Sequence, residues 1–219
     1  MNYLRLYQFS LLLIIISPLI FGCSKHTTPI QLQSHDYNLK MLIDDLRSIN
    51  SIEAVLEVSY EKDDTSLGGD MYIKADKNNM IVRVYYMGFL AGEIVEENGT
   101  IKSKVKMSKK RAEFLITSLR KSIFWWNFDF DEIIDFQERY LLKSEGREVV
   151  IDKKKMLPIS QRITNDDGDA IDINYSEPLP IEPEKESLKP TDWYQSVVQI
   201  EYQKFRVNSK ITSLKVLRD

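Results

Sequence analysis

Five carboxylates, Asp129, Asp131, Glu132, Asp135 and Glu138, fall close together in this 219-residue chain. On a helix, Asp131 and Asp135 would stand one turn apart on one face, the spacing that an acid–base pair or a cation site uses. No nucleophile–base pair lies beside them, so a solvated acidic stretch competes with that reading. Asn165-Asp166-Asp167-Gly168-Asp169 looks like a calcium loop, but it lacks the first acidic ligand and the closing Glu. It reads as a hairpin turn. The two histidines, His26 and His35, precede every periodic element. A His-based catalytic or metal site in a folded core is therefore excluded. The single cysteine, Cys23, excludes an intrachain disulfide and an all-Cys zinc site. A hydrolase would lack its base. The expectation is a non-enzyme with no catalytic residue, no metal and no cofactor. The net charge of −3 provides no basic field for nucleic acid.

Cys23 closes the most apolar segment of the chain. Arg5 supplies a short positive region, and Leu11–Gly22 is apolar but too short to span a bilayer as a helix. Residues 1–22 read as a secretory signal peptide. Ile20-Phe21-Gly22-Cys23 resembles the bacterial lipobox, with Phe21 in place of the commoner small residue. The resemblance implies a diacylglycerol on the Cys23 thiol, cleavage before it, and an acyl chain such as palmitate on the freed amine. Several chains are needed to hold a protein on a membrane, because one binds only marginally. Ser24 resembles the proteobacterial outer-membrane sorting residue. The competing reading is an ordinary signal peptide with Cys23 as a free thiol. Residues 23–36 are polar and aperiodic, a tether between lipid and domain.

The domain is expected over residues 37–219. Leu39, Leu42, Ile43 and Leu46 recur at helical spacing in Tyr37–Ile49, with Asp36 or Asn38 as cap. From Ser51 the period becomes two. Ala54, Leu56, Val58 and Tyr60 share one face. Asp63-Asp64 and Gly68-Gly69 bound a turn, and Met71, Ile73 and Ala75 line the next strand. Met80–Met87 follows, then Gly92–Glu97 and Thr100–Met107 about Asn98-Gly99, the strongest hairpin signal in the chain. Lys109–Phe124 returns to helical spacing. Six more strands are expected: 139–144, 147–152, 159–164, 170–175, and a final pair, 193–206 and 209–217, turning at Asn208. Pro178–Pro190 reads as an exposed loop or insertion. Hairpin spacing makes neighbouring strands antiparallel, and half-apolar strands bury one face. The fold class is mainly β (α+β): about eleven strands in a single strongly curved antiparallel sheet wrapped around two helices.

This layout resembles the LolA/LolB lipoprotein-carrier fold, a half-open barrel closed by a helical lid. Five segments carry the likeness: Gly69-Asp70-Met71-Tyr72-Ile73, Met80-Ile81-Val82-Arg83-Val84, Glu97-Asn98-Gly99, Met156-Leu157-Pro158-Ile159, and Ile200-Glu201-Tyr202-Gln203-Lys204-Phe205. An anchor on Cys23 brings the chain nearer to LolB than to soluble LolA. The resemblance implies an apolar cavity that holds lipid or lipoprotein acyl chains, a periplasmic carrier as donor, an outer-membrane location facing the periplasm, and a monomer. It implies a cavity or lid built from Leu56, Val58, Ile73, Val82, Val84, Leu119, Trp125, Trp126 and Phe128. Arg83 would be a polar group on the concave cavity face that holds loops shut by hydrogen bonds, against the alternative of an exposed strand arginine.

Three surfaces have two readings each. Phe89 and Leu90 stand where LolB has a protruding apolar loop. They either dip into a bilayer or carrier as a transfer loop, or fold under the sheet. Trp125, Trp126, Phe128 and Phe130 are either the mouth of the cavity or ordinary core. Lys102, Lys104, Lys106, Lys109, Lys110 and Arg111 either attract anionic headgroups or protect a solvated edge strand. The expectation is membrane-anchored transfer of acyl chains. The alternative is a scaffold lipoprotein of an envelope assembly with its interior filled, against which Ala54 and Ala75 at inward positions weigh.

Overall fold

The computed structural model describes residues 37–63, 65–104, 109–164, 168–184 and 188–218. The signal segment, Cys23 and the tether lie outside the described residues, as do Lys106 and Asn165–Asp167. Helix α1, Leu39–Arg47, begins at Asn38, whose side chain accepts a hydrogen bond from the Met41 amide at 3.0 Å. Capping by this asparagine satisfies one of the otherwise unpaired first-turn donors. The helix buries Leu39, Leu42, Ile43 and Leu46, each contributing about 1.5–3 kcal/mol.

Twelve strands form one antiparallel sheet. The first five are β1 (Ile49–Lys62), β2 (Thr65–Asp76), β3 (Asn79–Tyr86), β4 (Phe89–Glu97) and β5 (Thr100–Ser103). Helix α2, Lys109–Ile123, follows. Then come β6 (Glu132–Asp135), β7 (Arg139–Ser144), β8 (Arg147–Asp152), β9 (Leu157–Thr164), β10 (Ala170–Pro180), β11 (Trp193–Tyr202) and β12 (Phe205–Arg218). The spatial order is β5-β4-β3-β2-β1-β12-β11-β10-β9-β8-β7-β6. The sheet is open, with β5 and β6 at its edges. Each half is a meander, and the halves join where β1 pairs with β12 from Ile49↔Arg218 to Lys62↔Phe205. The described residues belong to one compact unit, Leu32–Asp219.

Alternation sets the core. Ile52, Ala54 and Leu56 on β1, Met71, Ile73 and Ala75 on β2, and Met80 and Val82 on β3 are all buried on one face. Val149, Ile151, Ile163, Ile171 and Ile173 continue that layer across the second half.

Several expectations differ from the structure. Glu132–Asp135 is a twelfth strand, so Asp131 and Asp135 do not share a helix face, and Asp135 is ion-paired to Lys153. Gly68 and Gly69 lie inside β2, opposite Ser59 and Val58, and the β1–β2 turn is at Asp63 (φ 50°). The final turn is at Gln203 (φ 52°), because Tyr202 pairs with Phe205; Asn208 lies within β12 and donates to Glu61 Oε1 at 3.1 Å. Pro178–Pro180 extends β10 along β11, so only part of the Pro/Glu-rich stretch is loop.

The β3–β4 connection is a two-residue turn, Met87-Gly88, with φ of 51° and 80°. Phe89–Ala91 therefore belongs to β4 rather than to a loop, and Phe89 pairs with Tyr86. Both turn residues are left-handed, as hairpin twist requires, and the following turn meets the same demand with Asn98-Gly99. Methionine is a poor residue there. Met87→Asn is expected to raise stability by about 1 kcal/mol, read as an upward shift in Tm of a few degrees. No change would mean that the turn carries no strain.

Candidate functional site

Residues of both helices and of the sheet line an apolar cavity of about 110 Å3 that is partly open. Leu42 and Leu46 of α1 form one wall, and Leu119 and Ile123 of α2 another. The sheet contributes Ala54, Leu56 and Ile73 from the first half, and Tyr175, Val198 and Ile200 from the second. All three tryptophans of the chain, Trp125, Trp126 and Trp193, line it. Trp125 and Trp126 meet edge to face, with ring centroids 5.6 Å apart. This void is comparable to a cavity that takes one benzene ring, about 150 Å3.

The wall formed by α2 is fixed from both halves of the sheet. Its last-turn carbonyls have no partner within the helix and need donors from elsewhere. Arg147 on β8 donates from Nη2 to Lys121 O and to Trp125 O, both at 3.2 Å. Gln161 on β9 also donates to Lys121 O, at 3.2 Å, and holds Arg147 by accepting from Nε and Nη2 at 2.9 and 2.7 Å. The Tyr175 hydroxyl donates to Ser122 O at 3.0 Å. Burial pushes the Tyr175 phenol well above its ordinary range, which keeps the proton it donates. From the other side, Arg120 of α2 binds Glu96 at 2.6 Å and the Asp76 carbonyl at 2.6 Å.

Arg147 is buried, and among the described residues no carboxylate makes an ion pair with it. Burial pulls its guanidinium down to about 10, so it remains a cation at neutral pH. Its charge rests on carbonyl dipoles at the negative end of α2 and on the Phe128 ring, 4.2 Å away. The same burial, with Arg147 nearby, lowers the pKa of Lys121.

The wall formed by α1 has weaker polar ties. Asp45 stands 3.8 Å from Lys189, and Arg47 stands 3.9 Å from Asp129. Exposed pairs at such distances contribute about 0–1 kcal/mol. Tyr37 is hydrogen-bonded to Asp45 of the same helix.

Of the expected cavity residues, Leu56, Ile73, Leu119, Trp125 and Trp126 line the cavity. Val82 is fully buried core away from it, and Val58 and Val84 pack against that core. Phe128 lies under Arg147 rather than in the cavity. Arg83 is out of phase with buried Val82, so it points to the opposite face of the sheet, where it binds Glu93 at 2.8 Å. It is therefore not on the face that lines the cavity. Hydrogen bonds from Lys104 and then Arg83 lower the pKa of Glu93. The arginine that bonds the end of α2 is Arg147. Its signal was its parity: it is in phase with buried Val149 and Ile151.

Phe89 and Leu90 are 78% and 55% exposed, beside Tyr86 at 54% and Met87 at 80%. They do not fold under the sheet. The β1–β2 turn lies at the same end of the sheet, where Tyr60 and Leu67 pair and are also exposed. Lys102 and Lys104 are bound to Glu97 and Glu93, at 3.0 and 2.7 Å, so this part of the basic run is ion-paired. Among the described residues, no cluster of three or more His, Cys, Asp or Glu could hold a metal ion. No described helix is long and apolar enough to cross a membrane.

No protein-family profile and no curated protein matches the sequence. Solved structures do. A LolA superfamily protein from Nitrosomonas europaea superposes with a TM-score of 0.53 at 10% identity, over 82% of this chain and 93% of that one. A DUF1329 family protein from Desulfovibrio piger gives a TM-score of 0.48 at 7% identity, over 80% and 88% of the two chains. A domain described as an outer membrane lipoprotein-sorting protein, from Vibrio parahaemolyticus, gives 0.46 at 12% identity, over 76% and 85%. The open antiparallel sheet, the two helices and the first of these superpositions agree: this chain has the LolA/LolB-like fold.

Proposed function

We propose that this protein is a non-enzymatic bacterial lipoprotein that takes acyl chains of lipids or lipoproteins into the cavity and passes them to the outer membrane. The observation that carries this reading is the cavity, whose walls are almost wholly apolar and hold all three tryptophans. Apolar contacts are non-directional, so a chain held by them is readily released to a better solvent. In this reading the sheet wraps around both helices. α2 is the fixed wall and α1 the lid, because α2 is clamped from both halves while α1 adds only weak surface pairs to its apolar stripe. The lipobox-like Cys23 supplies the anchor at the periplasmic side of the outer membrane, and a periplasmic carrier is the donor. The exposed tip Tyr86-Met87-Gly88-Phe89-Leu90 is the surface that meets a bilayer or that carrier. A methionine kept in a left-handed position agrees with such a role, since strain persists where function needs the side chain.

Native mass spectrometry of the protein purified without detergent tests the reading. An added mass that solvent extraction identifies as lipid or acylated peptide supports it. Ala54→Phe supplies the matched control, since Ala54 lines the void and a ring fills it. The variant is expected to keep its Tm and to lose lipid binding by more than 10-fold. Unchanged binding in this variant would place the chains elsewhere.

The small size of the void favours one other reading, a scaffold lipoprotein of an envelope assembly with a filled interior. A bare mass that also ignores added lipid supports that scaffold.

A further inference from the structure

The cavity wall is mainly apolar, and Thr191, Trp193 and Gln195 bring polar groups to one end of it. That end is built from the start of β11, the start of β9 and the turn Pro190–Asp192. The turn is held from several sides: Arg218 reaches Asp192 Oδ1 at 3.3 Å and the Thr191 carbonyl, and the Ile181 amide donates to Asp192 O at 2.7 Å. Among the described residues, three buried polar atoms at this end have no hydrogen-bond partner: Thr191 Oγ1, Trp193 Nε1 and Gln195 Oε1. Trp193 Nε1 is a donor without an acceptor, and Gln195 Oε1 is an acceptor without a donor. Thr191 Oγ1 also makes no well-formed hydrogen bond, although it lies near enough to the Tyr37 hydroxyl to favour that phenol's ionised form.

Trp193 and Gln195 are alternate residues of β11, and both line the cavity. The glutamine is oriented, because its Nε2 donates to Pro158 O at 2.9 Å. That bond fixes which end of the amide remains unpaired. An unpaired buried donor or acceptor costs about 1–3 kcal/mol. Both residues border the cavity while the two atoms themselves are covered, so a ligand meets this unpaired donor and acceptor when the wall opens at that end.

The chemistry of that ligand follows from the two atoms. The indole N–H needs an acceptor, and the glutamine oxygen needs a donor. A carboxylate could satisfy the first but would set its charge against the second. An ester has acceptors only. A neutral group that both accepts and donates satisfies both. An amide places its C=O and N–H on different atoms, which suits partners on two alternate residues. A hydroxyl offers the same chemistry from one atom.

Resting on the acyl-chain reading above, we infer that Trp193 and Gln195 form a head-group subsite selecting chains that end in a neutral donor–acceptor group, an amide-linked acyl chain above all, over esters and free carboxylates.

The test uses the intrinsic fluorescence of the three tryptophans, all of which line the cavity. The purified protein is titrated with N-methylpalmitamide, hexadecanol, methyl palmitate and palmitate. The amide is expected to bind about 10-fold more tightly than the methyl ester or the free acid. Hexadecanol ranking with the amide would identify any donor–acceptor head as the ligand class, and hexadecanol ranking with the ester would identify the amide. Gln195→Met is expected to weaken amide binding about 10-fold more than it weakens ester binding, which removes the preference for the amide. Equal binding of amide and ester to the unaltered protein would overturn the subsite, leaving the two atoms to a bound water. Equal loss of both ligands in Gln195→Met would also overturn it and make Gln195 a structural residue. If none of the four binds, the acyl-chain reading itself fails, an outcome distinct from loss of selectivity.

Discussion

Replacing Arg147 with methionine is expected to destabilise the protein by about 3 kcal/mol, read as a lower urea midpoint at an unchanged slope. Two effects oppose each other. Methionine removes the cost of burying a cation, a cost visible in the lowered pKa of this arginine. It also leaves Gln161 Oε1 and Trp125 O without donors, while Lys121 O keeps only Gln161. Each orphaned acceptor costs about 1–3 kcal/mol. The charge–dipole contact at the end of α2 and the contact over Phe128 are lost as well, each up to about 2 kcal/mol. The losses win because the arginine serves several carbonyls with one rigid fork. Arg147→Lys is expected to recover less than half of the stability, since an ammonium cannot span those acceptors. Amide hydrogen exchange at Ile123 and Phe124 should quicken in both variants. A change below about 1 kcal/mol for methionine would mean that α2 is held by packing alone.

Gly69→Ala is expected to cost a further large amount, about 2–3 kcal/mol. A Cβ at position 69 would lie 2.4 Å from the Tyr85 carbonyl oxygen. That oxygen belongs to the backbone of β3, so no rotamer change relieves the clash. The β2–β3 pair must separate near Asp70↔Tyr85, next to the irregularity between Val84 and Tyr85. Gly68→Ala is the control. Its Cβ would meet only Val58 O at 3.8 Å, an ordinary contact, so its effect should stay within about 0.5 kcal/mol. Equal midpoints for the two variants would show that the strands shift to absorb the methyl group.

Elements whose local signals agree with their surroundings were legible in the sequence. The stripe of α1, the alternation of β1 to β3 and the Asn98-Gly99 turn each fold as their residues direct. β6 escaped notice because an edge strand of four residues, Glu132–Asp135, needs only one paired side and shows no apolar alternation. Asn208 was a persuasive turn residue, but β12 must run on to Phe205 to match the whole length of β1. Within the candidate site, the walls were half legible. Parity alone separates Arg83 from Arg147: the first is out of phase with Val82, the second in phase with Val149. Trp193 and Gln195 gave no signal, because nothing in a strand's own residues tells which polar atoms lack a partner.

The seam between the two halves of the sheet has a bearing on how the chain becomes folded. β1 is made first and β12 last, and their pairing spans nearly the whole domain. Such a contact closes the longest loop available, which slows folding. Until β12 leaves the ribosome, β1 and β11 are both bare edges, the kind that recruits strands from other molecules. Loss of the last strand would therefore remove the join between two half-sheets rather than trim a border.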